Sequence, residues 1–438
     1  MKKSTILFAS TVSAMLALPL LTQAQGYQVA LQGAKQTGMA HIGVATKLDA
    51  SSAFFNPGAM ALLEKNSISA GVSLISAKSA FVDASTGQKF ETNSPIGTPF
   101  YLYAAWGPKG EGLASRFKFG LSINTPFGSS VDWGKDWIGR AGLTSIKLQA
   151  VFIQPTVGFK ITENLGIGAG LTYMTGAVNL QRASVLPFPA VSVAGGELDG
   201  SASGIGFNTG IYYTPIKQIS LGLSYRSQVD MKVTGGTLKF SNVPSEFQQG
   251  SALSNSIGSY LPNAATFDAT LPAPQIVSFG VTVYPSEKLT LATEINYAGW
   301  SSYDSLRFAY TQSPNVVNGV TLRSLLASKS ASSRNYNDNL VFRFGGQYKV
   351  SAALDVRLGY AYAITPVPAG SLTPETPDND RHNFFLGGSY KIGEKFSIDA
   401  ALQLVDVVER KDTSKETKLS GTYKTTATVG SFGVSYSF

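Results

Sequence analysis

The sequence predicts an all-β fold, a transmembrane antiparallel β-barrel of fourteen strands with an N-terminal segment inside its lumen. Three observations support this prediction: an export signal at the start, a composition low in charge but without long apolar segments, and hairpins that recur along the chain. No shift in composition divides the 438 residues, so we expect one large barrel rather than several soluble domains.

Residues 1–24 have the features of a secretory signal peptide. Lys2 and Lys3 form a basic start, an apolar run follows from residue 6 to residue 21, and residues 22–24 (TQA) provide a small-residue exit. A membrane-anchor helix is the alternative, but the run is short and no second basic flank follows it. We therefore expect cleavage before Gln25 and export across the inner membrane of a Gram-negative bacterium.

The composition excludes several classes of protein. Charged residues make up 14% of the chain, against roughly a quarter in soluble proteins, and no later stretch reaches the ~18 apolar residues of a membrane helix. Alternating strands explain this combination with 43% hydrophobic residues and 45 glycines. The chain has no cysteine for disulfides and no basic cluster for nucleic acid, although its net charge is +8.

No enzyme, metal site or cofactor is expected. The histidines are His41 and His382, and neither lies in a recognisable catalytic triad or beside a second metal ligand.

The repeated hairpins have an aromatic-ended strand, a tight polar turn and an alternating strand. They are FKITENLGIGAGLTY, YYTPIKQISLGLSY, VYPSEKLTLATEINY, YKVSAALDVRLGY and YKIGEKFSIDAAL. After the second turn, one face carries Ile219, Leu221, Leu223 and Tyr225, and the other carries Ser220, Gly222, Ser224 and Arg226. This two-residue period places one face in an apolar medium and the other in a polar one. A soluble β-sandwich would show the same alternation.

Two features favour a membrane barrel over a sandwich. Aromatic residues stand just before the short turns, where an interfacial girdle would need them; they are Phe159, Tyr213, Tyr284, Tyr348 and Tyr390. The chain also ends with apolar residues on one face, at Phe432, Val434, Tyr436 and Phe438. Bacterial outer-membrane barrels commonly end in this way.

The barrel is predicted over residues 67–438. Its strands are expected at 67–82, 98–107, 115–127, 145–161, 164–180, 197–214, 218–239, 266–284, 288–312, 337–350, 352–365, 381–392, 395–409 and 417–438. The even number matches single-chain bacterial barrels, and the short connections follow even-numbered strands, as periplasmic turns would. Closure satisfies every backbone hydrogen-bonding group in lipid.

Residues 25–66 precede the first strand and do not alternate. A barrel of fourteen strands is wider than the ~8 strands whose own side chains fill the interior, so this segment is predicted to plug the lumen. A disordered periplasmic tail is the alternative.

From Gly26 to Phe438 the sequence resembles the FadL family of outer-membrane transporters for long-chain fatty acids and other hydrophobic compounds. The resemblance rests on the order of GAKQTGMAHIGVATKLDASSAFFNPGAM, FIQPTVGFKITENLGIGAGLTY, YAGWSSYDSLRF and PDNDR at 377–381. It implies a monomeric fourteen-stranded barrel with an N-terminal hatch. The family hatch carries an Asn-Pro-Ala motif, which Asn56 and Pro57 match; Gly58 replaces the Ala, so we expect a looser local backbone.

The resemblance also implies a route: capture by external loops, passage past the hatch, and lateral release where the third strand kinks inward. We place the kink at Thr125, Pro126, Phe127 and Gly128, because Pro lacks a ladder donor and Gly permits a bend. A plain strand end is the alternative. An apolar substrate gains about 0.8 kcal/mol per CH₂ on leaving water, so it needs such an apolar path.

Two groups of residues are candidates for contact with the substrate. The apolar capture residues on external loops are Leu186, Phe188, Leu253, Ile257, Tyr260 and Leu261. The lumen charges are Arg343, Arg357, Asp378, Asp380 and Arg381, to which Glu294, Asp355 and Asp399 can be added. These charges either hold a carboxylate headgroup or pair with each other and with the hatch; within the family motif, Arg381 and its acidic neighbours tie the barrel to the hatch.

The expected partners are a hydrophobic small molecule and outer-membrane lipid, without nucleic acid. A general aqueous porin, or a barrel that binds ligands at its surface, is the alternative function. Ion conductance distinguishes an open porin from a plugged barrel.

Overall fold

A computed structural model of the chain describes residues 26–47, 49–185, 193–242, 264–310, 316–317, 320–321 and 331–438. The predicted signal peptide (1–24) and the six capture residues lie outside the described residues. Within them, no helix has the length and apolar character needed to cross a membrane.

The described residues form fourteen antiparallel strand positions, several of them made of two consecutive segments. They are β1 (Ser67–Asp83), β2 (Lys89–Glu91 and Phe100–Trp106), β3 (Phe117–Asp132), β4 (Ser145–Thr162), β5 (Leu165–Val185), β6 (Val193–Ile216), β7 (Ile219–Arg226 and Val229–Ser241), β8 (Ala264–Ala273 and Ile276–Val283), β9 (Leu289–Ala298 and Ser305–Tyr310), β10 (Ala331–Ser333 and Asn339–Lys349), β11 (Leu354–Ala363), β12 (Arg381–Ile392), β13 (Phe396–Val407 and Arg410–Thr413) and β14 (Ser420–Ser437).

The strands close into a ring. Each strand pairs with the next in sequence, and β1 pairs with β14 along its whole length, from Ser67 opposite Ser437 to Asp83 opposite Gly421. Closure pairs the first strand with the last, so neither β1 nor β14 presents an unpaired edge to lipid. The structure therefore confirms the predicted fold class of a fourteen-stranded antiparallel barrel.

Side chains alternate between the outer and inner faces of the wall. In β7 the predicted polar face is the buried one, and in β14 the side chains of Phe432, Val434 and Tyr436 are exposed on the outside. The outer belt is thus apolar, as lipid contact requires.

One member of the predicted aromatic girdle faces the other way. Tyr213, Tyr348 and Tyr390 are exposed on the outer surface, but the Tyr284 hydroxyl contacts Tyr212 and Ser220 inside the barrel. Side chains alternate along β8, and its last residue, Val283, points outward. The next residue, Tyr284, therefore points inward. Including Tyr284 in the girdle was therefore wrong.

Residues 26–66, called the N-terminal segment below, contain three short helices: α1 (Ala34–Thr37), α2 (Ser52–Phe55) and α3 (Pro57–Ala61). Inward-facing side chains from strands on all sides of the ring bond to this segment. They are Gln154, Arg226, Glu294, Arg343 and Ser435. Most of the segment is buried, and it lies within the ring of strands.

Candidate functional site

The third strand leaves its neighbour partway along its length. Its pairing with β2 ends at Asn124 opposite Tyr101, and its register against β4 shifts between Asn124 and Phe127. Pro126 lies inside this shift and has no N–H for a ladder bond. The strand then continues to Asp132, so residues 125–128 are an irregularity within β3 and not its end.

Beyond the shift, the free edge of β3 pairs with the start of the N-terminal segment. The Val29 N–H donates to the Pro126 carbonyl at 2.8 Å, and the Gly128 N–H donates to the Tyr27 carbonyl at 3.1 Å. β3 is therefore held toward the interior, where the segment supplies the hydrogen bonds that β2 would otherwise make.

Phe100 N–H still donates to Thr125 Oγ1 at 3.1 Å, and beyond this contact an opening is left in the wall between residues 95–99 and 126–131, called the wall opening below. Contacts resume at its far end, where the Asn93 N–H donates to the Asp132 carbonyl at 2.8 Å and the Asp132 N–H donates to Ser94 Oγ at 3.2 Å. The opening is therefore bounded by hydrogen bonds at both of its ends.

Behind the wall opening lies a cavity of about 440 Å³, called the lateral cavity. It is lined by Ala150, which faces inward from β4, and also by Gln149 and Val151, which face outward. Because both faces of one strand contribute, the cavity extends from the interior to the outer surface of the barrel.

A second, smaller cavity of about 90 Å³, the inner pocket, lies deeper in the lumen. Its lining is largely apolar and includes Ile146, Met174, Leu198, Met231, Val233, Phe267, Leu271 and Phe308. Its one ion pair among the described lining residues joins Arg334 Nη2 and Glu375 Oε2 at 2.7 Å. Glu375 raises the pKa of the buried Arg334 guanidinium despite the opposing effect of burial, so the pair is internally neutralised.

Tyr27 and Phe127 are aromatic residues that line both cavities. The Tyr27 ring packs edge-on against Trp300, with centroids 4.7 Å apart, and its hydroxyl donates to the Pro272 carbonyl. Burial raises the pKa of the Tyr27 phenol well above its ordinary value, so this group stays neutral. The two rings form an apolar surface shared by both cavities, called the partition below.

The residue before Tyr27 is anchored to the wall. The Gly26 N–H donates to Asp378 Oδ2 at 2.9 Å, and Asp378 also pairs with Arg381 at 2.9 Å. Gly26 has φ +59°, and a Cβ there would lie 2.9 Å from the Trp300 ring, so the position requires glycine. This anchor fixes where the partition begins.

The predicted hatch motif is tightly packed. Asn56 caps α3 by accepting from the Gly58 N–H at 2.9 Å, donates to the carbonyls of Val44 and Ile211 at 2.7 and 2.9 Å, and is followed by Pro57 at the first helical position. A Cβ on Gly58 would lie 2.6 Å from the Gly166 carbonyl oxygen. The expectation of a looser backbone at Gly58 is wrong, because the glycine permits a closer approach to the wall.

The lumen charges pair within the protein. Arg343 donates to the Ala40 carbonyl of the N-terminal segment at 2.9 Å, whereas Arg357 donates to Gln347 and Ser389 of the wall. Asp380 accepts from the Tyr362 hydroxyl. Arg381 and Asp378 also line the lateral cavity, so these two stand nearest to a potential ligand.

Sequence reasoning missed three features of the site. Tyr27 carried a weak signal, as an aromatic residue just after the predicted cleavage point. The Arg334–Glu375 pair and Gln403, which lines the lateral cavity, had no such signal, because loops and register bring them into place. Within the described residues, no cluster of His, Asp and Glu is arranged to hold a metal ion.

Comparison with known proteins gives similarity over nearly the whole chain. The family described as "Outer membrane protein transport protein (OMPP1/FadL/TodX)" matches residues 15–438. The chain is 25% identical to the 47 kDa outer membrane protein of Pasteurella multocida (strain Pm70), over 95% of this chain and 94% of that protein.

It is also 22% identical to the long-chain fatty acid transport protein of Escherichia coli O6:H1, over 100% of both proteins. The crystal structure of a Pseudomonas aeruginosa FadL homologue has a TM-score of 0.80 with this chain at 21% identity, and the match covers 94% of this chain and 100% of that one. At this identity, the structural likeness shows the fold alone.

Proposed function

The chain belongs to the outer membrane protein transport family (OMPP1/FadL/TodX), and from this premise we propose that it carries hydrophobic small molecules, such as long-chain fatty acids or hydrocarbons, across the outer membrane. One observation carries the proposal: β3 turns away from β2 and leaves a wall opening in front of a cavity of about 440 Å³. An aqueous pore has no need of such an exit toward lipid.

The energetics favour lateral release. An alkyl chain gains about 0.8 kcal/mol per CH₂ on leaving water, so a path that ends in the bilayer avoids a costly return to the aqueous periplasm. The cavity volume lies within the roughly 300–1,000 Å³ of known ligand pockets. We therefore assign the lateral cavity as the exit chamber and outer-membrane lipid as its receiving phase.

The inner pocket is the proposed holding site before exit. Its apolar lining suits an alkyl or aromatic group, but about 90 Å³ is less than most ligands occupy. Substrate entry must therefore displace part of the lining. Tyr27 and Phe127 form the partition whose movement would both enlarge the pocket and open it to the lateral cavity.

The N-terminal segment is the proposed hatch. Asn56, Pro57 and Gly58 hold it against β5 and β6, and Asp378 with Arg381 holds its start. Capture of substrate by Leu186, Phe188, Leu253, Ile257, Tyr260 and Leu261 stays a prediction. All parts of the proposed route lie in one chain, so a monomer is sufficient.

The proposal is tested by filling the inner pocket. Purified protein is titrated with a fluorescent long-chain fatty acid, and uptake of the same compound is measured in cells that lack their own transporter. Ala202→Phe adds a ring to the pocket lining and should reduce saturable binding and uptake about tenfold or more. Ala400→Phe makes the same change on the outer face of β13 and should leave both unchanged.

The porin alternative predicts the opposite pattern. If the wild type binds no hydrophobic compound while planar-bilayer recordings show steady ion conductance, the transporter proposal must be abandoned.

A further inference from the structure

A third cavity, of about 60 Å³, lies between the N-terminal segment and the wall and is separate from the two cavities of the proposed route. We call it the arginine cavity. Its polar lining comes from both sides: Gln28, Gln32 and His41 of the segment, and Ser224, Arg226, Ser278, Glu294, Asn296 and Arg343 of β7 to β10. Among the described residues that line it, the charged ones are two arginines and one glutamate.

One of the arginines is balanced by the glutamate. Arg343 lies directly opposite Glu294 in the pairing of β10 with β9, where Cβ atoms are roughly 5 Å apart. Asn296 joins the two, because it accepts from Arg343 Nε at 2.5 Å and donates to Glu294 Oε1 at 2.9 Å. Glu294 Oε2 accepts from the N–H groups of Gly43 and Val44 at 3.0 Å. Both carboxylate oxygens of Glu294 are therefore occupied.

The other arginine, Arg226, has no carboxylate partner within the described part of the chain. It is 9% exposed, and its terminal nitrogens donate to Gln154 Oε1 at 2.6 Å and to the Phe54 carbonyl at 2.9 Å. The guanidinium also lies over the rings of Phe54 and Phe152, 4.2 and 5.4 Å from their centroids. None of these neighbours carries a negative charge, and a buried charge without a counter-charge is strongly unfavourable.

His41 does not change this balance. Its Nε2 accepts from the Gln32 N–H at 3.2 Å, and burial together with Arg343 holds the pKa of the imidazole well below its ordinary value. The ring is therefore neutral at pH 7. The arginine cavity keeps one excess positive charge, that of Arg226.

Hydrogen-bond donors lie beside this charge. Ser224 is two residues from Arg226 on the same inner face of β7, and Ser278 lies directly opposite Ser224 on β8. The buried Ser224 hydroxyl forms no hydrogen bond to the described residues. The Ser278 hydroxyl accepts from Asn296 at 2.7 Å, which leaves its own proton free to donate. Each terminal nitrogen of Arg226 also carries a second N–H.

We propose that the arginine cavity binds one small monovalent anion, such as chloride, which neutralises Arg226 and joins the N-terminal segment to the wall. The spare N–H groups of Arg226 and the hydroxyls of Ser224 and Ser278 donate to this ion. A volume of about 60 Å³ admits a halide but has no room for an alkyl chain. The site therefore serves the docking of the segment and is independent of the transported compound.

Hydrogen exchange of residues 49–62 tests this proposal, since Arg226 bonds to the segment at Phe54. Purified protein is compared in sodium chloride and in sodium gluconate at equal ionic strength, because gluconate is too large for the cavity. Chloride at ten times its Kd should slow exchange of these residues about tenfold. Crystals of the full chain grown in bromide should show an anomalous peak within hydrogen-bond distance of Arg226.

Two variants address the site. Arg226→Gln removes the charge but keeps an amide donor, and its exchange should be the same in chloride and in gluconate. Ser224→Ala removes one donor, so the chloride effect should persist but require a several-fold higher concentration. If Arg226→Gln does not fold, Ser224→Ala and the bromide peak still decide the question.

Arg357→Gln is the matched control. Arg357 is also buried and faces the lumen, but it donates to Gln347 and Ser389 and does not line the arginine cavity. Its variant should respond to chloride as the wild type does.

Two results would overturn the proposal. Equal exchange of the wild type in chloride and gluconate, with no bromide peak at Arg226, would show that the cavity holds water only. A chloride effect that persists unchanged in Arg226→Gln would show that the anion binds elsewhere. Uptake of hydrophobic compounds is not involved in either result, so the proposed transport function stands or falls separately.

Discussion

At the residue scale, the ion pair between Lys35 and Asp49 lies within the N-terminal segment and also faces the wall. Lys35 Nζ lies 2.8 Å from Asp49 Oδ2 and 3.7 Å from Asp399 Oδ2 of β13. Burial raises the pKa of the Asp49 carboxyl, but Lys35 and the Ser51 hydrogen bonds outweigh it and lower the pKa to about 2. Because this pKa is lower than that of an ordinary carboxyl, the ionised Asp49 stabilises the docked segment above about pH 4, and this contribution is lost as the pH falls toward 2.

Lys35→Met should loosen the N-terminal segment at neutral pH. The change leaves Asp49 buried without its cation, a loss of about 3–5 kcal/mol for a broken buried pair. Hydrogen exchange of residues 33–51 at pH 7 measures this effect. The same measurement is made at pH 5, and each data set is corrected for the intrinsic exchange rates at its own pH.

Two comparisons make this prediction specific. Without Lys35, burial dominates and raises the Asp49 pKa, so lowering the pH from 7 to 5 should restore protection in Lys35→Met but leave the wild type unchanged. Lys35→Met with Asp49→Asn should regain part of the protection at pH 7. If exchange in Lys35→Met equals that of the wild type at pH 7, the pair does not hold the segment.

At the scale of elements, the irregularity in β3 determines whether the wall is open. One residue more on β3 than on β4 lies between the pairs Asn124–Phe152 and Phe127–Ala150. Deleting Pro126 should restore a regular register, return β3 to β2 and close the wall opening. We expect normal barrel folding, tested by heat-dependent gel migration, with uptake of hydrophobic compounds reduced at least tenfold.

Deleting Ile161 provides a matched control. It removes a residue at another register shift, between β4 and β5 next to the short turn, far from the wall opening. Uptake should persist in that variant. Full uptake after deletion of Pro126 would show that substrate leaves by another route.

The strands were largely predictable from the sequence, and their interruptions were not. The alternation of apolar and polar residues located all fourteen strands, because one face of each strand meets lipid and the other meets the interior. The predicted strand 218–239 is divided into Ile219–Arg226 and Val229–Ser241. The predicted strand 266–284 is divided into Ala264–Ala273 and Ile276–Val283. A local bend depends on pairing with the adjacent strand, which periodicity does not contain.

The site was predictable only where a residue type carries its own geometric rule. Pro126 and Gly128 marked the kink because one lacks a donor and the other permits a bend, and the pairing of β3 gives that region its irregular register. Gln403 resembles any inward-facing polar residue of a strand. Its orientation becomes known only from the structure, in which its Nε2 donates to Asn383 Oδ1.

At the scale of the whole molecule, the lumen is occupied by the N-terminal segment, and most of its residues are buried. A fourteen-stranded wall without such a segment encloses space that its own side chains do not fill. Removing residues 26–66 behind an intact signal peptide should convert the protein into a pore with steady ion conductance in planar bilayers.

The intact chain should show little conductance in the same recordings. Variant Ala400→Phe, changed only on the outer face, serves as the control for purification and insertion. Equal conductance of the intact and shortened proteins would show that the segment does not seal the lumen.

The tight fit of the N-terminal segment also constrains the order of biogenesis. Gly58 lies against Gly166 of β5, and Gly38 lies against Gly387 of β12, with hypothetical Cβ contacts below 3 Å in both places. The seam between β1 and β14 extends over 17 residues, and the closed ring surrounds the segment with no space for a side chain at these two contacts. We therefore expect the segment to take up its position while the strands join, so that the first part of the mature chain serves as a template for the wall.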